Sequence, residues 1–165
     1  MIDKILVPIA FSKLSKGILE YAAGLAQPLG ARLLIANVVN ERDLKAVERI
    51  ASYGYKVDGD HYIATIQKER ATLLGEMVEE LGIGDADYDY SFVVGDPAEE
   101  LLQLVVSEKV DMVVMGTKAR DLRHMFAGSV AEQMFRKCPV PVTFYRGEEM
   151  ARELEKKIRK EMDNE

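Results

Sequence analysis

Short apolar segments alternate along this chain with longer segments whose apolar residues recur every three or four positions. Strand-like segments cover Lys4–Ile9 (KILVPI) and residues 32–39, 88–94, 112–116 and 139–145. Helical patterns, such as those over 14–29 and 61–81, lie between them. Alternation of this kind predicts a parallel sheet with right-handed crossovers. We therefore expect one doubly wound α/β domain with five parallel strands and helices on both faces.

The strands differ in pattern, and the pattern predicts their place in the sheet. Residues 112–116 are apolar on both faces and belong in the interior, whereas the alternating residues 88–94 indicate an edge strand with one wet face. Two prolines in Pro139–Tyr145 remove ladder donors and place that strand at the other edge. Ser12 is predicted to cap the first helix, which Pro28 and Gly30 are predicted to end.

Composition excludes several classes of protein. The chain has 165 residues and a net charge of −6, which argues against nucleic acid as the main partner. No apolar run is long enough to span a membrane, and the N-terminus does not have the layout of a signal peptide. The single cysteine, Cys138, fits a reducing cytoplasm. Two histidines are too few and too scattered for a metal site, so no metal ligands are expected.

The segment from Val113 to Ser129 is the strongest candidate for a binding site. The apolar strand VVMG runs into a basic loop, and Gly128-Ser129 then opens a helical pattern. Free backbone N–H groups at such a helix start can bind an anion. Cationic groups within the loop (Lys118, Arg120, Arg123 and His124) could neutralise a phosphate. Alternatively, they are solvated loop charges or pair with acidic groups across a dimer.

Four segments together carry a family resemblance: KILVPIAFS, VVGDPAEELL, VVMGTKAR and AGSVAEQMFRKCPVPV. In this order and spacing they resemble the universal stress protein family over residues 1–146. The resemblance implies a Rossmann-like fold, similar to the adenine nucleotide alpha hydrolases, with strand order 3-2-1-4-5. It also implies a cytoplasmic homodimer paired through the strand Pro139–Tyr145. One branch of the family binds ATP, and another binds no nucleotide.

The resemblance implies a set of nucleotide-contacting positions, and the chain departs from the pattern of the ATP-binding branch at three points. The implied positions are Pro8, Ile9, Ala10, Val38, Met115, Gly116, Lys118, Ala119, Arg120, Gly128, Ser129 and Val130. Ala119 replaces the second loop glycine, Ala10 replaces an aspartate, and the spacer over 120–127 has eight residues instead of nine. Together these changes should weaken nucleotide binding by about 2–5 kcal/mol.

We therefore predict a homodimeric stress-response protein with a degenerate site for ATP or AMP. Mg²⁺ would accompany ATP only, and we expect at most very slow ATP hydrolysis without dedicated catalytic residues. The alternative is a dimeric regulatory protein of the same family that binds no nucleotide. An enzyme acting on a phosphorylated small molecule is a third hypothesis, which only the basic loop supports.

Residues 147–165 form a charged segment with a different composition. Met150, Leu154, Ile158 and Met162 make a thin apolar stripe, and acid-first pairs such as Glu148–Arg152 stand four residues apart. This pattern predicts a C-terminal helical tail beyond the domain of residues 1–146. The helix is either solvated against the body or packed on a partner subunit.

Overall fold

The computed structural model describes residues 1–54, 59–117 and 129–163, which form five strands, six α-helices and a short 3-10 helix at Asp85–Asp87. The strands are β1 (Lys4–Pro8), β2 (Arg32–Asn40), β3 (Tyr88–Gly95), β4 (Met112–Gly116) and β5 (Val142–Tyr145). The helices are α1 (Ser15–Leu29), α2 (Glu41–Ser52), α3 (Gly59–Glu80), α4 (Pro97–Ser107), α5 (Val130–Lys137) and α6 (Glu148–Met162). In the part of the chain so described, no helix is long and apolar enough to cross a membrane.

All five strands are parallel and lie in the order β3-β2-β1-β4-β5. This confirms the predicted doubly wound sheet and its strand order. It also confirms the interior position of β4 and the edge positions of β3 and β5. Within the sheet, Leu6 of β1 is opposite both Leu34 of β2 and Val113 of β4.

Alternate side chains of the strands form two apolar clusters on opposite faces of the sheet. Ile5, Val7 and Ile35 pack on one face with residues of α1 and α3. Leu6 and Met115 pack on the other face with residues of α4 and α5. Because the clusters lie on opposite faces, the chain crosses from one face to the other as the strand order reverses between β1 and β4.

Helix ends follow local chemistry, with two departures from prediction. Gly30 ends α1 in a left-handed conformation with φ of 63°, as expected, but Pro28 lies inside the last turn and does not stop the helix. The prediction that Ser12 caps α1 is wrong, because α1 begins at Ser15 and the residue before it, Leu14, makes no side-chain cap. The Ser12 N–H instead donates to Ser15 Oγ at 3.0 Å, which closes a turn before the helix.

The fifth strand is shorter than predicted, and it starts at Val142 instead of Pro139. A proline has no N–H to donate to a ladder, so only the residues after Pro141 can pair fully with β4. The Val113 N–H donates to the Pro141 carbonyl at 2.9 Å, and Val113 is opposite Val142. In a parallel ladder this leaves the backbone polar groups of Val142 and Phe144 pointing away from β4, at the outer edge of the sheet.

The start of the C-terminal helix α6 contacts the segment before α1. Gly147 packs so closely on Leu14 that a Cβ there would come 2.7 Å from Leu14 Cδ2. Glu149 and Lys13 form an ion pair of 3.6 Å. Further along the helix, Ile158 and Met162 are 56% and 70% exposed. The apolar stripe therefore becomes progressively more exposed towards the C-terminus.

Candidate functional site

The crevice between the chain ends that leave β1 and β4 is the candidate site. These strands are neighbours, yet α1 after β1 and α5 after β4 pack on opposite faces of the sheet. In open α/β sheets, ligands bind outside the carboxyl ends of the strands at such a reversal of strand order. Ile5 is opposite Met112 and Leu6 is opposite Val113, and the two strands end at Pro8 and Gly116 at the same edge of the sheet.

On the β1 side, hydrogen bonds hold the backbone after Pro8 in place. The Ile9 N–H donates to the Ala36 carbonyl at 2.8 Å, and Asn37 Nδ2 donates to the Ile9 carbonyl at 2.8 Å. The Ile9 side chain is buried in the α1-facing cluster, so only its backbone can face a ligand. Ala10, which follows directly, is exposed at the rim.

The turn after Ala10 is unusual in its backbone conformation. Phe11 has φ of 52°, in the left-handed region that a bulky side chain seldom occupies. The Arg70 guanidinium of α3 lies over the Phe11 ring with its carbon 4.9 Å from the ring centre. Arg70 Nη1 also donates to the Ala10 carbonyl at 3.4 Å. These two contacts hold a positive charge at the exposed end of β1.

Two buried polar atoms beneath this rim have no hydrogen-bond partner among the described residues. They are Asn37 Oδ1 and the Tyr90 hydroxyl, on the neighbouring strands β2 and β3. Burial raises the pKa of the Tyr90 hydroxyl, and the nearby positive charge of Arg70 lowers it in part. Asn37 is only 1% exposed. The α3-facing side of the sheet is therefore polar just below the crevice.

On the β4 side, the residues at the end of the strand are used in packing. Met115 is buried in the cluster under α4 and α5. A Cβ at Gly116 would come 2.6 Å from Ile18 Cδ1, so the glycine lets α1 pack closely on β4. Thr117 is also buried, and its hydroxyl contacts Met150 Sδ of α6 at 3.9 Å. The C-terminal helix thus begins beside the rim.

The start of α5 has backbone N–H groups that could bind an anion. Ser129 is the N-cap, and its Oγ accepts from the Glu132 N–H at 3.1 Å. The remaining N–H groups of a first helical turn have no partner within the helix and can bind an anion. Glu132 stands in this turn, and Arg136 lies 3.4 Å from its carboxylate. The negative charge of Glu132 would compete with a phosphate for these N–H groups unless Arg136 neutralises it.

The other predicted contact residues divide into two groups. Val38 and Val130 are half-buried and pack against the cluster under α4 and α5. Lys118, Ala119, Arg120 and Gly128 lie outside the described residues, as do Arg123 and His124. Sequence reasoning missed Asn37, Arg70 and Thr117. The lone amide in the apolar run RLLIANVV was a signal for Asn37. Arg70 had no such signal within its charged helix.

A concavity of about 720 Å³ lies at the opposite end of the sheet. Its lining includes Glu20, Gln27 and Arg32, from the end of α1 and the start of β2. Arg32 Nε donates to Asp89 Oδ2 at 2.7 Å, and this hydrogen bond lowers the pKa of the Asp89 carboxyl. Nothing in the sequence pointed to this groove as a ligand site. Across residues 1–54, 59–117 and 129–163, no group of acidic, His or Cys side chains could hold a metal ion.

Comparison with known proteins gives one consistent result. The model of the "Universal stress protein family" matches residues 1–146 of this chain. The stress response protein NhaX of Bacillus subtilis is 27% identical over 158 residues, which cover 85% of this chain and 95% of NhaX. The universal stress protein MJ0577 of Methanocaldococcus jannaschii is 24% identical over 154 residues, which cover 86% of this chain and 93% of MJ0577.

Solved structures agree on the fold. The structure of MJ0577 superposes with a TM-score of 0.69, covering 90% of this chain and 98% of that one. A universal stress protein crystallised in complex with cAMP has a TM-score of 0.59 at 20% identity, with 88% and 97% of the chains covered. The universal stress protein from Archaeoglobus fulgidus in complex with dAMP has a TM-score of 0.59 at 16% identity, with 88% and 98% covered.

Proposed function

This chain belongs to the universal stress protein family, and we propose that it is a cytoplasmic, homodimeric stress-response protein with a degenerate adenine-nucleotide site and little or no catalysis. The site is the crevice between β1 and β4. Its contacts would come from the backbone after Pro8, from Val38, and from the segment that runs from Met115 to Val130.

The position of the crevice carries this proposal. The sheet order sets β1 beside β4 at the reversal of strand order, and α5 is the next described element after β4. A nucleotide could rest its nucleoside on the ordered end of β1 and direct its phosphate to the first turn of α5. Both kinds of contact rely on backbone groups, which do not depend on the identity of the side chains.

The complexes of relatives with cAMP and dAMP suggest which ligands to test first. Both ligands are adenine mononucleotides with a single phosphate. A single phosphate suits a site with one short helix start, so AMP is the simplest candidate for this chain. ATP would bring Mg²⁺ with it, because the metal ion would neutralise its additional phosphates.

The loop substitution Ala119 provides a direct test of degeneracy. Isothermal titration of AMP, ADP and ATP, each with and without Mg²⁺, should give weak binding to the natural chain. Ala119→Gly should tighten it by roughly 5- to 30-fold if nucleotide binding requires a left-handed backbone at position 119, a conformation that costs a residue with a side chain about 1–2 kcal/mol. Absence of heat at millimolar nucleotide in both proteins would refute the nucleotide site. Incubation with ATP followed by chromatography should return ATP almost unchanged.

A dimeric regulatory protein without nucleotide binding is the second candidate. Ala10 and Ala119 favour it, because each removes a feature of the nucleotide-binding branch. The two candidates share the dimer, for which the unpaired outer edge of β5 is the proposed interface. They differ in thermal melting with AMP. A rise of several degrees at saturating AMP supports the first candidate, and an unchanged melting temperature supports the second.

A further inference from the structure

Arg70 of α3 stands at the exposed end of β1. Among the described residues it contacts the Ala10 carbonyl, 3.4 Å from Nη1, and the Phe11 ring, 4.9 Å from the guanidinium carbon, and its charge also acts on the nearby Tyr90 hydroxyl. None of the ion pairs formed within residues 1–54, 59–117 and 129–163 includes Arg70. The two contacts hold the charge in position, and no carboxylate of the described residues neutralises it.

The geometry leaves most of the guanidinium free for a ligand. A guanidinium has five N–H donors, and the stacking on Phe11 engages its flat face and not its edge. The Ala10 carbonyl accepts from one donor only. Ala10 is exposed and its methyl group is small, so nothing on residue 10 itself shields the remaining donors from the crevice. Phe11 limits the movement of the arginine, because its ring packs against the α1-facing cluster.

A group that only donates hydrogen bonds selects acceptors. In some nucleotide sites a carboxylate faces the ribose and accepts a hydrogen bond from a free ribose hydroxyl. In others an arginine takes that place and binds a phosphate carried by the ribose. Among the described residues, the end of β1 presents Ala10 and Arg70, so these two side chains offer no carboxylate to accept from a hydroxyl but do offer a planar fork for phosphate oxygens. A free ribose would find no matching acceptor on these two side chains.

We propose that Arg70 determines specificity in this crevice, and that it selects nucleotides carrying a phosphate on the 2′ or 3′ oxygen of the ribose over nucleotides with a free ribose. This inference rests on the proposed nucleotide site and specifies its ligand class. The 5′-phosphate goes to the first turn of α5, and the ribose phosphate goes to Arg70. Arg70 acts here by binding and has no part in a reaction.

The test compares three ligands by isothermal titration at one ionic strength: AMP, adenosine 2′,5′-bisphosphate and adenosine 3′,5′-bisphosphate. At least one bisphosphate should bind the natural protein about tenfold or more tightly than AMP, as expected for a charge-assisted contact with phosphate. The better bisphosphate identifies the ribose oxygen that faces Arg70. Arg70→Gln should abolish this preference, because the bisphosphate should lose more affinity than AMP.

Lys68→Gln is the matched control, because it removes one positive charge from the exposed surface of the same helix without touching Ala10 or Phe11. It should keep the preference for the bisphosphate. An equal loss in both variants would show a general charge effect and overturn the assignment to Arg70. Arg70→Lys retains the charge without the fork, and should keep part of the preference if the glutamine variant fails to fold.

The outcomes separate this inference from the proposed function. Equal affinity of the natural protein for all three ligands would overturn the role of Arg70 while supporting the nucleotide site. No binding of any of the three would refute the nucleotide site itself, and the inference with it. Binding of a bisphosphate without measurable AMP binding would support both.

Discussion

Ser129 has two roles that a pair of substitutions can separate. As the N-cap of α5, its Oγ accepts from the Glu132 N–H at 3.1 Å. As the residue at the helix start, it also adjoins the place proposed for the ligand phosphate. Alanine at this position removes the cap, whereas aspartate keeps a capping oxygen and adds a negative charge.

The effects on stability follow from the cap. Ser129→Ala should lower the free energy of unfolding by about 1 kcal/mol, within a range of about 0.5–2. For a chain of this length the melting temperature should fall by about 2–4 °C per kcal/mol. Ser129→Asp should be as stable as the natural protein or slightly more stable, because aspartate caps as well as serine and its charge interacts favourably with the helix dipole.

The effects on binding run in the opposite order. A carboxylate about 4 Å from a phosphate repels it by roughly 4 kcal/mol at an effective dielectric constant of about 20. Ser129→Asp should therefore weaken AMP binding by about a thousandfold. Ser129→Ala adds no charge and should reduce the affinity by about tenfold at most, the value of one hydrogen bond.

Urea unfolding and isothermal titration of the two variants provide the assay. Asp96→Ala is the control, since Asp96 Oδ1 caps α4 in the same way, accepting from the Ala98 N–H at 3.1 Å. It should cost similar stability without changing AMP affinity. Natural affinity in the aspartate variant would refute the placement of phosphate at α5. An aspartate variant less stable than the alanine variant would refute the role of Ser129 as the cap.

Three further outcomes are expected. Val142→Pro removes an outer-edge N–H without disturbing the pairing with β4 and should yield a monomer in sedimentation equilibrium; an unchanged dimer would exclude that edge. Asp111 accepts from two backbone N–H groups, at 2.8 and 2.9 Å, which hold its carboxyl pKa below the ordinary value. The Asp111 carboxylate stabilises the fold fully above about pH 3.9, the pKa in the unfolded chain, and this stabilisation is lost as the pH falls through the lower pKa of the folded state. The urea midpoints of the natural protein and Asp111→Asn should therefore converge below about pH 4. Replacing the exposed Ile158 and Met162 by Gln should change the free energy of unfolding by less than about 0.5 kcal/mol, and a larger loss would show that a second copy covers the stripe.

Apolar periodicity was sufficient to locate every strand, because a strand in a packed sheet buries its side chains and therefore carries apolar residues. The all-apolar Met112–Gly116 is interior and the alternating Tyr88–Gly95 is an edge strand, as their patterns predicted. The order of the strands came from the family resemblance instead, since short-range patterns carry no information on which strands become neighbours. The start of α1 was misplaced because the Ser12 N–H donates to Ser15 Oγ, a contact that spacing alone does not reveal.

For the candidate site, the sequence by itself located the apolar strand that ends at Gly116 and the helix that begins after Ser129, because both follow from local residue chemistry. Tertiary structure alone decided what the rim presents. Gly116 and Met115 are used in packing against the helices, and Arg70, sixty residues along the chain from Ala10, reaches its carbonyl. Strand and cap preferences act between near neighbours in the chain, whereas the charge at a crevice is set by residues that meet only after the helices have packed on the sheet.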